Sequence, residues 1–146
     1  MFTGRHIHTI DEKGRVVLPV RIRNAFEGYD TCYIAPGTDG QITLNRPDEF
    51  EAYLRGVIAD ADTTAKRSAA RLISQEAVVQ KLDKAGRVLV PEHLRLHAGI
   101  SLPSEVAITG AVTHAEIWRT DLNERDNALG RTELVKSEVA KEARGS

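Results

Sequence analysis

The spacing of apolar and polar positions changes its period several times along this chain. Val16-Val17-Leu18 is a short β-branched and apolar run, and Asp11-Glu-Lys-Gly14 before it combines a turn-opening aspartate with a glycine able to take positive φ. This predicts a β-hairpin with strands over about Arg5–Ile10 and Arg15–Leu18. Pro19 fits the first position of a helix, Ile22, Ala25 and Phe26 follow at helical spacing, and Gly28 is a natural stop. A second strand pair is predicted over Thr31–Ala35 and Gln41–Arg46, around Pro36-Gly-Thr-Asp-Gly40.

The period then becomes helical. Asp48 with Glu51 reads as a capping box, and Phe50, Tyr53, Leu54, Val57 and Ile58 form one apolar face. A further helix is predicted over Thr63–Ser74, with Ala65, Ala69, Leu72 and Ile73 on its inner side. Next the first pattern returns: a turn at Ala85-Gly86, Pro91 opening a helix with Leu94 and Ala98, Gly99 closing it, and strands over Glu105–Thr109 and Ala115–Arg119 around Gly110. Asp121 and Glu124 resemble another capping box. The charged helix they open holds Leu122, Leu129, Val135 and Val139 and trails into Ala143-Arg-Gly-Ser146.

The recurrence is literal. His8-Thr-Ile-Asp-Glu-Lys-Gly-Arg-Val-Val-Leu-Pro-Val-Arg-Ile-Arg23 reappears as Gln80-Lys-Leu-Asp-Lys-Ala-Gly-Arg-Val-Leu-Val-Pro-Glu-His-Leu-Arg95, with Asp11 and Asp83 72 positions apart. Gly37, Leu44 and Arg46 find counterparts in Gly110, Ile117 and Arg119 at 73, as though one loop residue had been gained. Such repetition decides architecture before any single residue does. Units of about 45 residues are marginal alone, so the two are expected to share one core. The expected division is a first unit with its flanking helix over 1–61, a helical connector over 62–76, a second unit over 77–120, and a charged helix or tail over 121–146.

The formal net charge is −1, which argues weakly against a nucleic-acid role until the charges are located. Arg5, Lys13, Arg15, Arg21 and Arg23 stand against Asp11, Glu12 and Glu27 in the first motif segment, and Lys81, Lys84, Arg87 and Arg95 against Asp83 and Glu92 in the second. Both segments are therefore basic, and the acidic surplus lies between and after them. Only charges within about a Debye length of a partner count, so such a chain can present a basic face. No apolar run reaches the roughly 18 to 20 residues that span a bilayer, and the start has no signal-peptide pattern, so a cytoplasmic location is expected. The lone Cys32, beside Tyr33 and Ile34, reads as a buried strand residue.

Candidate chemistry follows from the paired turns. Arginine presents a planar fork of donors that bridges guanine O6 and N7 or grips a phosphate, and a turn holds it without a long flexible arm. Asp11 and Asp83, with Gly14 and Gly86, are expected to shape the turns and orient their arginines, because a carboxylate facing phosphate is repelled. Two plainer roles stand beside this one: Arg15 and Arg87 as structural ion-pair residues, and Arg23 and Arg95 as solvated helix positions. His6, His8, His93 and His97 lack the cysteine or carboxylate company of a metal site, and Trp118, Phe50, Tyr53 and Phe26 read as core or interface anchors. Neither a nucleophile elbow nor a phosphate-cradling glycine loop is present, so an enzyme is not expected, and no cofactor is implied.

Over residues 1 to about 120 the chain resembles the MraZ family of regulators of the bacterial division and cell-wall gene cluster, whose members are tandems of AbrB-like units. The residues behind the resemblance are Met1-Phe2 with Gly4, both Asp-x-x-Gly-Arg turns with proline and arginine four and eight residues after the turn arginine, and His114-Ala-Glu-Ile-Trp118. The resemblance implies a β-rich α+β fold. In it, tandem β-α-β AbrB-like units interleave within one polypeptide as a pseudo-dimeric swapped-hairpin β-barrel with flanking helices. It also implies a nucleoid-associated transcription regulator, autoregulatory, binding G-rich direct repeats of double-stranded DNA and assembling as a homo-oligomeric ring. By the family's motif the DNA-facing arginines fall on Arg15 and Arg87, and the basic helix position on Arg23 and Arg95. Lys13 and Arg21 occur in the first copy only, with Ala85 and His93 opposite, so unequal contributions are expected. The competing expectation is a protein-interaction module on the same barrel, antitoxin-like or binding a methyltransferase.

Overall fold

The computed structural model describes residues 1–145. The first repeat supplies β1 (Arg5–Ile10), β2 (Arg15–Val17), α1 (Val20–Ala25), β3 (Thr31–Pro36) and β4 (Ile42–Asn45). Two helices follow, α2 (Pro47–Ala59) and α3 (Thr64–Glu76), and then the second repeat: β5 (Val78–Lys81), β6 (Arg87–Leu89), α4 (Glu92–Ala98), β7 (Ser104–Gly110) and β8 (Ala115–Arg119). The last element, α5, spans Thr120–Gly145, and Ser146 lies outside the described residues.

All eight strands form one antiparallel sheet in the order β5-β3-β4-β8-β7-β1-β2-β6. The hairpins are exchanged between repeats: β1 runs beside β7 from Arg5 opposite Thr109 to Ile10 opposite Ser104, and β5 runs beside β3. Because β5 and β6 at the two ends of this order are joined by a turn, the sheet curls into a nearly closed swapped-hairpin barrel. One core fills it. Ile10, Val16, Leu18, Ile22 and Phe26 of the first repeat pack with Val88, Val90, Leu94 and Ala98 of the second, as two marginal units sharing a core require. Cys32 is fully buried, and loss of water pushes its thiol pKa up to about 12, so it is an inert packing residue.

Several local expectations are corrected. Pro19 and Pro91 are the N-cap residues of α1 and α4, one position earlier than expected, with extended backbone at ψ 148° and 152°. The Asp48–Glu51 capping box does not form. Pro47 occupies the first turn and Arg46 the cap, so Asp48 and Glu49 pair with Arg46 while Glu51 pairs with Arg55 one turn on. The inner stripe of α3 is Ala70 and Ile73, whereas Ala65, Ala69 and Leu72 face solvent. The shift from Ala69 to Ala70 is one residue, about 100° of helix, and weakly apolar alanines give the pattern little phase information. Asp121 lies inside the first turn of α5, where Arg119 Nε donates to it at 2.5 Å, so no second capping box opens that helix.

The repeat arithmetic also changes. His6 lies opposite Ile108 and Val78 opposite Ile34, which makes Ile34 and Ile108 equivalent, 74 positions apart rather than 73. Two residues have been gained before the third strand of the second repeat and one lost in its hairpin. The gain falls in the connection after Gly99, where Ile100 and Leu102 pack onto the core.

Outside the barrel, Phe50 and Ile73 close over Ala35 with Tyr33, Tyr53, Leu54 and Val57, a satellite core that fixes α2 and α3 on β3. Phe50 and Tyr33 stack with ring centroids 4.5 Å apart. Ile58, expected on the same face, is exposed. The equivalent position to Phe50 in α5 is Asn123, buried and accepting a hydrogen bond from Arg5 Nε at 2.7 Å. Beyond Asn123 the described residues of α5 are exposed, including Leu129, Val135 and Val139. No helix is long and apolar enough to cross a membrane among the described residues.

Candidate nucleic-acid interface

Strands β2 and β6 form a two-stranded ribbon that joins the repeats: Arg15 lies opposite Leu89, Val16 opposite Val88, and Val17 opposite Arg87. The ladder continues into both turns, since Leu18 N donates to Gly86 O at 2.9 Å and Val90 N to Gly14 O at 2.8 Å. Side chains alternate across a strand, so Val16 and Val88 point into the core and Arg15, Val17, Arg87 and Leu89 point out together. The two turns sit at opposite ends of this ribbon, but their arginines meet on its outer face. As diagonal neighbours across an antiparallel pair, they stand roughly 7–8 Å apart at the backbone.

Each arginine is held by the aspartate that opens its turn. Asp11 Oδ1 accepts from the backbone N–H groups of Lys13 and Arg15, both at 2.9 Å, and its Oδ2 takes Arg15 Nε at 3.3 Å. Asp83 accepts from the Arg87 backbone at 2.8 Å and from Arg87 Nε at 2.7 Å. These backbone hydrogen bonds, strengthened by the guanidinium, hold both carboxyls below the usual carboxylate range. Among the described residues nothing takes the Nη groups of Arg15 or Arg87, whose side chains are 36% and 44% exposed, so both are comparably reachable. With Nε occupied, each guanidinium offers its outer Nη edge, a pair of parallel donors suited to two acceptors on one base.

Gly14 and Gly86 take φ of +83° and +77°, which the tight turns require and which an L side chain resists. Arg23 and Arg95 are occupied differently from the turn arginines. Arg23 Nη2 donates to the carbonyl of Lys84 in the other repeat's turn, and Arg95 Nε donates to Val90 O at 3.1 Å. Arg21 lies beside Gly4, just before β1, and its counterpart His93 bonds the Glu76 carbonyl at 3.0 Å. Lys13 is exposed at one end of the ribbon. Lys84, one position earlier in the second turn and aligned by the repeat with Glu12, is exposed at the other and is a site residue that the sequence reading does not name.

Val17 and Leu89 belong to apolar runs in the sequence, which do not say which face either residue takes, and both are exposed. The signal that finds them is strict alternation from Val16 and Val88. The histidines are scattered: His8 Nδ1 donates to Val17 O at 2.7 Å, and His97 Nε2 to Gly37 O at 3.1 Å. No group of three or more His, Cys, Asp or Glu that could hold a metal ion occurs among the described residues.

Two repeats interleaved in one chain, with an outward arginine pair on the strands that join them, define the molecule as a tandem swapped-hairpin barrel. A family model described as "MraZ protein, putative antitoxin-like" matches residues 1–72 and 73–125, and the chain belongs to the MraZ family. A relative from Thermomicrobium roseum is 35% identical over 142 residues, covering 94% of this chain and 92% of its own. One from Paenarthrobacter aurescens is 35% identical over 140 residues, 91% and 94% of the two chains, and one from Heliobacterium modesticaldum is 37% identical over 120 residues, 81% and 80%. All three are named transcriptional regulator MraZ, a regulator's name and not an enzyme's.

Proposed function

We propose that this chain is a sequence-specific, double-stranded DNA-binding transcription regulator of the bacterial division and cell-wall gene cluster, acting in the cytoplasm on its own upstream region. Arg15 and Arg87 read guanines of G-rich direct repeats from the major groove. Asp11 and Asp83 aim them, and Gly14 and Gly86 permit the turns. Lys13, joined by Lys84, grips phosphate at the ends of the ribbon, while Arg23 and Arg95 brace the turns and Arg21 adds to the basic field of the first repeat.

The observation behind this reading is the pair of aspartate-held guanidinium groups that share the outer face of one ribbon with their Nη edges free. A two-stranded ribbon fits the major groove, and a bidentate arginine–guanine contact contributes about 1–3 kcal/mol of discrimination. One chain thus makes a short, weak contact. Useful affinity comes from several copies on successive repeats, which a homo-oligomeric ring supplies through effective concentration. The antitoxin-like reading, with a protein such as a methyltransferase as partner, would leave the ribbon without a phosphate-bearing ligand.

A gel shift on the DNA immediately upstream of the gene, at several salt concentrations, tests the proposal. The Arg15→Ala/Arg87→Ala double variant is expected to lose the shift while keeping its far-UV spectrum, and the wild type to lose affinity steeply with added salt. Unchanged binding by the folded double variant ends the assignment.

A further inference from the structure

The outer face of the β2–β6 ribbon holds two side chains to which the arginine reading gives no task. Val17 and Leu89 are 45% and 44% exposed, and each has an arginine as its direct cross-strand partner, Arg87 and Arg15. Outward positions on an uncovered antiparallel pair are ordinarily polar. Ile7 and Val79 are also exposed, on the strands that lead into the two turns, but their cross-strand partners are Ala107 and Tyr33 and not arginines. Val17 and Leu89 are the exposed aliphatic side chains that stand directly across from the two turn arginines.

The occupant this face fits is duplex DNA, because its charge comes from Arg15 and Arg87 with Lys13 and Lys84 at the ends. Within the major groove the thymine 5-methyl is the one apolar feature of the base edges, and an aliphatic side chain is its natural complement. Directly opposed side chains stand about 4.5–5.5 Å apart at Cβ. That is on the scale of one base step of roughly 3.4 Å. An aliphatic partner therefore reaches the base pair beside the one its arginine bridges.

Resting on the reading of the ribbon as the DNA-facing element, we propose that Val17 and Leu89 are specificity-determining residues. Each packs on a thymine methyl adjacent to the guanine read by Arg87 or Arg15, so the ribbon selects neighbouring guanine and thymine rather than guanine alone. The two halves read unequally. Val17 is short and β-branched, whereas Leu89 is longer and leans toward Gly14, its Cδ1 3.6 Å from where a Gly14 Cβ would stand.

The experiment replaces each thymine of the upstream duplex, one at a time, by deoxyuridine, which removes only the methyl, and measures binding of wild type, Val17→Ala, Leu89→Ala and Arg15→Ala/Arg87→Ala. At thymines next to essential guanines the wild type is expected to bind the deoxyuridine duplex roughly fourfold more weakly, the worth of one buried methyl. Each alanine variant is expected to lose that discrimination at one thymine set while keeping its melting temperature. Equal deoxyuridine penalties in wild type and alanine variants, or none in any, overturn the methyl reading, while loss of binding by the double arginine variant leaves the DNA assignment standing. Alanine variants that keep the discrimination but change sedimentation overturn it too, since the pair would then serve a chain–chain contact. Unchanged binding by the double arginine variant removes both proposals together.

Discussion

Arg23 of the first repeat reaches across to the turn of the second, donating to the Lys84 carbonyl while its stem lies over Gly86. Arg95 lies over Gly14 of the first repeat's turn in the same way, but its Nε donates to Val90 O of its own repeat. Each repeat's turn, and so the arginine that follows it, is braced by the helix of the other repeat. This mutual bracing gives the hairpin exchange its mechanical meaning: neither half can present its arginine in this geometry alone.

A Cβ at residue 86 would stand 2.9 Å from Arg23 Cδ, and the left-handed backbone there costs an L residue roughly 1–2 kcal/mol. Gly86→Ala is expected to destabilise by about 2 kcal/mol, and by less when Arg23→Ala has already cleared the stem. At Gly14 the obstacle is the Val90 carbonyl at 3.2 Å, which is backbone and cannot step aside, so Arg95→Ala should give no comparable relief. Urea unfolding of both double-mutant cycles measures this. Equal costs of Gly86→Ala in the two Arg23 backgrounds would show that the stem does not rest on the turn.

Phe50 belongs to the satellite core and not to the barrel. Phe50→Ala removes the ring stacked on Tyr33, and burial of this kind is worth about 3–5 kcal/mol. The loss is expected to fall on α2 and α3. Hydrogen exchange should show these helices opening while amides of β1, β7 and β8 stay protected, whereas uniform loss of protection would mean the two cores unfold as one unit.

Much of this architecture is legible because the motif is written twice. Turn chemistry placed both β-hairpins and both short helices, and the shared core followed from the size of the units. The interleaving of β2 with β6 came from family resemblance, since hydrophobic period says which face a strand buries and not which strand lies beside it. Errors clustered where a local cue was pre-empted by a neighbour. Pro47 starts α2 before Asp48 can cap it, and Arg119 captures Asp121. The bracing roles of Arg23 and Arg95 were invisible because the glycines they cover belong to the opposite repeat.

Asn123 is the polar tether of α5. Its carbonyl oxygen takes Arg5 Nε at 2.7 Å and Asn127 Nδ2 at 3.3 Å, at a site where α2 has Phe50. Asn123→Ala strands these donors and is expected to cost about 1–3 kcal/mol. Exchange of the first α5 amides should report the loss, and Arg5→Ala should reproduce much of it. Truncation after Ala128 is expected to leave the melting temperature nearly unchanged, because the described residues removed are exposed. A large drop on truncation would mean that the outer part of α5 supports the barrel.

The second turn of α5 approaches an acidic corner, and pH reads it out. Burial pushes the Glu116 carboxyl up, but hydrogen bonds from His114, Gln41 and Trp118 outweigh it and hold the group below its usual value, so it is ionised at neutral pH. Asp126 is shifted the other way, by partial desolvation and by the nearby Asp39 and Glu116 charges. A carboxyl with a raised folded-state pKa opposes folding once ionised. That penalty is absent below its unfolded value near pH 4 and complete above the folded one. Glu116, with a lowered value, contributes stability above about pH 4.3 that is lost as pH falls through its folded pKa. Asp126→Asn is therefore expected to raise the melting temperature at pH 7, less so in high salt, and to be neutral near pH 3.5. Glu116→Gln should lower it at pH 7 and by less in acid. Thermal melts of both variants across this range decide the matter, for if Asp126→Asn proves neutral or destabilising at pH 7 in low salt, the second turn of α5 does not lie against that corner.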